Sequence, residues 1–77
     1  MKNINLIKAR KNKGFTQDQL AKELGYKGKQ SVANWENNHI SPPLETAIRI
    51  SQLLEEDIFF LFGTKVQVSQ TKKKSVV

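Results

Sequence analysis

The sequence predicts an all-α fold of five short helices, on three observations. Apolar residues recur at helical spacing in successive segments. Each segment is bounded by a capping residue, a glycine or a proline. No segment alternates apolar and polar residues over the length of a strand. The 77 residues suffice for one domain and no more.

The first helix is expected from about Asn3 to Asn12, with Leu6, Ala9 and Lys13 along one face and Gly14 placed for a left-handed stop. The second opens at Thr16. Thr16-Gln17-Asp18-Gln19 has the form of a capping box, in which Thr16 and Gln19 satisfy each other's backbone N–H groups. Asp18 stands in the first turn, where negative charge suits the helix dipole. Leu20, Ala21 and Leu24 make the buried face, and Gly25 ends the helix.

After Tyr26-Lys27-Gly28, a third helix runs to about Asn37, anchored by Val32 and Trp35, with Asn38 as a left-handed cap. Pro42-Pro43 exclude helix just before them and suit the start of the next. The fourth helix, Leu44 to Leu54, is expected to bury Leu44, Ala47, Ile48 and either Ile50 or Leu54. Asp57 is placed to cap a fifth, Ile58 to Phe62, which Gly63 ends. Residues 1–63 thus make the domain. Residues 64–77, polar and lysine-rich, make a short flexible tail, in which Val66-Gln67-Val68 alternates over too few residues to count as a strand.

Composition narrows the function. The absence of cysteine removes disulfides and every cysteine-based zinc site, and it fits a reducing compartment. The longest apolar run, Ile58 to Phe62, is far short of a membrane span, and the amino terminus has no apolar stretch of signal-peptide length. A cytoplasmic location is therefore expected. The net charge of +6 is unevenly spread: residues 1–36 carry eight Lys/Arg against three Asp/Glu, residues 37–63 one against four, and residues 64–77 four lysines. A basic front suits a polyanion; it equally suits a solvated surface.

The third helix decides between them. Its remaining surface is Lys29, Gln30, Ser31, Asn34 and Asn37. Asn and Ser are mediocre helix formers, so an idle surface would favour other residues. Gln or Asn pairs in two-pronged fashion with adenine, and Lys reaches guanine acceptors. A short helix joined to such a helix by a glycine turn is the helix-turn-helix arrangement.

Thr16-Gln17-Asp18-Gln19-Leu20-Ala21-Lys22-Glu23-Leu24-Gly25, followed by Ser31-Val32-Ala33-Asn34-Trp35-Glu36-Asn37, resembles the Cro/C1-type helix-turn-helix (XRE) family of phage and bacterial repressors. The resemblance extends over about residues 4–62. It implies a five-helix, lambda-repressor-like bundle whose third helix lies in the DNA major groove. It places base readers at Lys29, Gln30 and Asn34, with Ser31 as a fourth. Gln17 falls where the family has a glutamine that touches the DNA backbone or nearby bases. Asn37, Asn38 and His39 belong to the segment that lies along the backbone. The turn Gly25-Tyr26-Lys27-Gly28 is one residue longer than the common family form. That leaves the start of the third helix open by about one residue, brings Lys27 into the contact set and leaves Lys29 either a base reader or a phosphate ligand.

Three further readings complete the expectation. Trp35, spaced from Val32, belongs to the core, the alternative being a base stack. Arg10 and Glu36 resemble the family's internal ion pair; otherwise they are independent surface charges. Ile40, Leu53, Phe59, Phe60 and Phe62 exceed what so small a bundle buries. Ile40 and the three phenylalanines are thus candidates for a homodimer interface, unless the phenylalanines tuck under the fourth helix. The expected partners are double-stranded DNA and a second copy, with no membrane, metal or cofactor. An enzyme is disfavoured, because the one histidine, His39, has no nucleophile or metal-ligand cluster to work with. The competing function is a protein-interaction module such as an antitoxin or anti-repressor, working through the apolar patch and the acidic middle segment.

Overall fold

The computed structural model describes residues 1–63; the expected tail and its Val66-Gln67-Val68 alternation lie outside the described residues. Within them are five helices and no strand: α1 Ile4–Asn12, α2 Gln17–Glu23, α3 Gln30–Glu36, α4 Leu44–Leu54 and α5 Ile58–Phe62. α1 lies against α3 and α5, α2 against α3, and α4 against α5. Every helix contributes to one core, in which Leu6, Leu20, Val32, Ile50, Leu54 and Leu61 are fully enclosed. Burying a side chain of that kind contributes roughly 1.5–3 kcal/mol, so the bundle holds although no helix exceeds 11 residues.

The helix ends behave as the residues dictate. Asn3 Oδ1 accepts from the Leu6 N–H (3.0 Å) and caps α1. The Thr16 hydroxyl oxygen accepts from the Gln19 N–H (3.0 Å) while Gln19 Oε1 accepts from the Thr16 N–H (2.9 Å), which is the expected capping box. Asp57 Oδ2 accepts from the Phe59 and Phe60 N–H groups (2.8 and 3.2 Å) and starts α5. Gly25, at φ 90°, and Asn38, at φ 59°, take the left-handed conformation that stops α2 and α3. Glu55 does the same for α4 at φ 56°, an unusual choice for a residue with a β-carbon.

Four expectations are corrected. Lys13 is not on the buried face of α1. That face is Leu6, Ala9 and Arg10, and Lys13 is an exposed residue at the helix end, its ammonium 2.8 Å from Glu55 Oε2. Leu44 and Ile48 are exposed, at 36% and 42%. They share one flank of α4, and its inward arc is filled by Ala47 with both Ile50 and Leu54. Phe62 is buried, because α5 turns Leu61 and Phe62 inward and Phe59 and Phe60 outward. Phe62 therefore drops out of the exposed patch.

Candidate nucleic-acid interface

α3 has two faces. Val32, Trp35 and Glu36 are buried. At 3.6 residues per turn, Gln30, Asn34 and Asn37 fall on the opposite side, with Ala33 and Ser31 on the flanks. Gln30 is exposed, and Ser31, Asn34 and Asn37 are half-buried. Lys29 is the exposed N-cap residue and makes no side-chain cap bond. The start of α3, left open by one residue in the sequence, is thus Gln30, and Lys29 stands at its threshold. Lys27 is exposed in the turn before it, and Asn38 and His39 are exposed in the turn after it.

The inner side of α3 is held by chemistry as well as packing. Arg10 Nε donates to Glu36 Oε2 and Arg10 Nη2 to Glu36 Oε1 (3.3 Å), a two-pronged pair between α1 and α3 with both residues buried. Arg10 Nη1 also donates to the Phe15 carbonyl (2.8 Å), and Gln17 Nε2 donates to Glu36 Oε1 (2.9 Å). One carboxylate therefore receives donors from α1 and α2 and fixes α3 relative to both. No buried side-chain nitrogen or oxygen among the described residues lacks a partner. That completeness is what makes a buried ion pair tolerable.

Trp35 is in the core, only 5% exposed, with the Tyr26 ring edge-on at a centroid distance of 5.6 Å. The Tyr26 hydroxyl lies 3.3 Å from the Thr46 hydroxyl oxygen, so the turn between α2 and α3 is pinned to α4. Arg49 Nη2 adds a bond to the Glu23 carbonyl (3.1 Å). On the outward face, Gln30 Nε2 donates to Asn34 Oδ1 (3.2 Å).

Two features escaped the sequence reading. Gln17 is tied to the ion pair by its amide N–H, which leaves its carbonyl oxygen and second N–H unassigned. The amino-terminal segment is latched at several points: Asn3 Nδ2 donates to the Leu61 carbonyl (2.7 Å), Asn5 Nδ2 to the Phe60 carbonyl (3.0 Å), and Asn38 Nδ2 to the Met1 carbonyl (2.9 Å). The run of asparagines around α1 was the available signal, but nothing in their spacing names partners so far along the chain.

The apolar patch lies elsewhere. Ile40, Phe59 and Phe60 are 50%, 66% and 46% exposed and line a cleft of about 310 Å3 floored in part by Trp35. Among the described residues, no group of His, Asp and Glu could hold a metal ion, and no helix is long and apolar enough to cross a membrane. The Lys13 ammonium, by its hydrogen bond first and its charge second, holds the Glu55 carboxyl below the usual carboxylate range.

Two packed short helices joined by a glycine turn, the second with a polar outward face, define a DNA-binding helix-turn-helix domain. The comparison with protein families agrees: the helix-turn-helix family model HTH_3 matches residues 6–61. The chain belongs to this family, the Cro/C1-type helix-turn-helix or XRE family, whose domains are DNA-binding regulators and not typically enzymatic. No curated protein and no solved structure matches the chain.

Proposed function

We propose that the protein is a sequence-specific transcriptional regulator of the Cro-like or small-repressor type, acting in the cytoplasm by occupying an operator and excluding polymerase or a competing regulator. The observation that carries this reading is the polarity of α3, whose Gln30, Asn34 and Asn37 stand opposite its buried Val32, Trp35 and Glu36. α3 enters the major groove, where Lys29, Gln30, Ser31 and Asn34 reach base edges. Gln17, Lys27, Asn37, Asn38 and His39 meet the sugar–phosphate backbone and set register without reading sequence. Residues 1–63 are the working domain, and the basic residues of 64–77 add attraction that salt weakens.

The protein acts as a homodimer, at least on DNA, through Ile40, Phe59 and Phe60. Exposure of two phenylalanines beside an isoleucine supports this choice. Phe59→Asp is expected to lower the operator complex from two protomers to one in sedimentation and leave the thermal midpoint within a few degrees; an unchanged stoichiometry on the operator removes the patch from the interface.

The test is selection of bound sequences from a random duplex library near physiological salt, followed by affinity against rising salt. A two-fold symmetric motif and a steep salt dependence are expected. The same cleft favours the second reading, a protein-interaction module, and selection of no motif, with capture of a protein partner through Phe59, would turn the assignment to it.

A further inference from the structure

The cleft that holds the exposed apolar patch is also where the last helix ends. We infer that residues 64–68 of the same chain lie extended across this cleft, with Val66 and Val68 against Ile40 and Phe59, and so hold the patch closed to a second copy. The closing of the patch rests on the homodimer reading proposed above; the seating of the segment does not.

The first ground is place. Gly63, the residue that ends α5, lines the cleft together with Trp35, Ile40, Phe59 and Phe60. At φ 59° it departs from the helical path, so the chain beyond it starts from the cleft wall and not as a further turn of helix. Five extended residues span about 17 Å, ample for a cleft of about 310 Å3.

The second ground is pattern. Residues 64–68 are Thr-Lys-Val-Gln-Val. In an extended chain alternate side chains share a face, so Val66 and Val68 point one way and Lys65 and Gln67 the other. Two valines are too few to build a sheet, but they suit one small cleft with an apolar lining, while the lysine and the glutamine stay in water. An extended backbone also needs partners for its N–H and C=O groups. Asn5, in the lining, gives one N–H to the Phe60 carbonyl (3.0 Å) and keeps its Oδ1 and second N–H, and Ser41 adds a hydroxyl. Phe59 and Phe60, 66% and 46% exposed beside Ile40, are the apolar surface that such a segment would cover.

The third ground is proximity. Val66 is three residues from Gly63, and a tether that short gives an effective concentration on the order of millimolar. A second copy, free in solution, has to contend with that. Each chain with the segment seated is withdrawn from pairing, so apparent self-association weakens as the open fraction falls.

The chain contains no cysteine, so introduced pairs report contacts without background. In the full chain, Ile40→Cys is combined in turn with Val66→Cys, Gln67→Cys and Val68→Cys, and disulfide formation is followed in a glutathione buffer. Cysteines whose β-carbons point apart do not bridge, so Gln67→Cys should pair more slowly than either neighbour by about tenfold. The rates should not depend on protein concentration. Phe59→Cys in place of Ile40→Cys should give the same order, which removes any effect peculiar to one position. In a separate variant, Val66→Ser with Val68→Ser leaves every charge in place and should assemble as two protomers on the selected operator at several-fold lower concentration than wild type.

Equal rates at 66, 67 and 68 overturn the inference. A disulfide-linked dimer as the main product also overturns it, since the segment would then belong to a second copy, and so does weaker assembly of the serine variant. Alternating rates with unchanged assembly on the operator uphold the seating and remove the cleft from the homodimer interface, a separate result.

Discussion

α2 and α3 have seven residues each, and they are stabilised in opposite ways. α2 secures its own ends: it has the Thr16–Gln19 capping box, Asp18 in the first turn and Lys22 in the last, with Lys22 and Asp18 3.4 Å apart. α3 has no side-chain cap and no charge favouring its dipole at either end. It is held from within, by Val32, Trp35 and the Glu36 carboxylate. Separating stability from surface in this way releases the outward positions of α3. Gln30, Asn34 and Asn37 need not stabilise the helix and are available for recognition.

Substitutions should expose that asymmetry. The largest effect is expected at the ion pair: Arg10→Ala or Glu36→Ala strands a buried charge and should cost about 3–5 kcal/mol in urea unfolding. A loss below about 1 kcal/mol, of the size seen for exposed pairs, would place α3's anchorage in its apolar residues alone. Next, Thr16→Ala should lose about 1 kcal/mol by removing the α2 cap. Lys29→Ala, at the matching position of α3, should change stability by no more than about 0.5 kcal/mol. It should nevertheless weaken DNA binding and relax the preference at the base pair that Lys29 meets. Equal stability losses at Thr16 and Lys29 would erase the contrast.

The smallest effect is the acid limb of the Lys13–Glu55 pair. The folded-state pKa of Glu55 is lowered, so its contribution is present above the unfolded carboxylate value and fades as pH falls through the folded value. Both side chains reach solvent, so the shift in thermal midpoint should be slight. Lys13→Ala should abolish it; an identical acid limb in that variant would assign the loss to other carboxylates.

The parts of this fold that were legible in the sequence are those decided within a few residues. The capping box at Thr16, the left-handed stops at Gly14 and Asn38 and the Asp57 cap follow from local rules, and all are present. The Arg10–Glu36 pair was legible only through the family resemblance, since the two residues are 26 positions apart. The misplacements share a cause. α5 is apolar at every position, and the apolar residues of α4 spread over a wider arc than the core covers, so periodicity alone could not pick the buried ones. It put Leu44 and Ile48 inside, and it could not single out Phe62 as the buried phenylalanine. Tertiary packing chose the face. The left-handed Glu55 gave no signal, because glycine or asparagine is the usual residue there. At the candidate interface, the residue types were readable, but the bonds from Gln17 to Glu36 and from Gln30 to Asn34 were not, since an amide's partner depends on side-chain direction.

The latch between Asn38 and the Met1 carbonyl has a practical side. An affinity tag or fluorescent protein fused ahead of Met1 would emerge beside the Asn37–His39 turn, on the surface assigned to the sugar–phosphate backbone. Such a fusion should depress measured affinity by obstruction, with the domain itself intact. A dye for binding assays belongs on the exposed side of α4, for instance through a cysteine introduced at Gln52, which is exposed and lies on a different helix from the assigned DNA contacts.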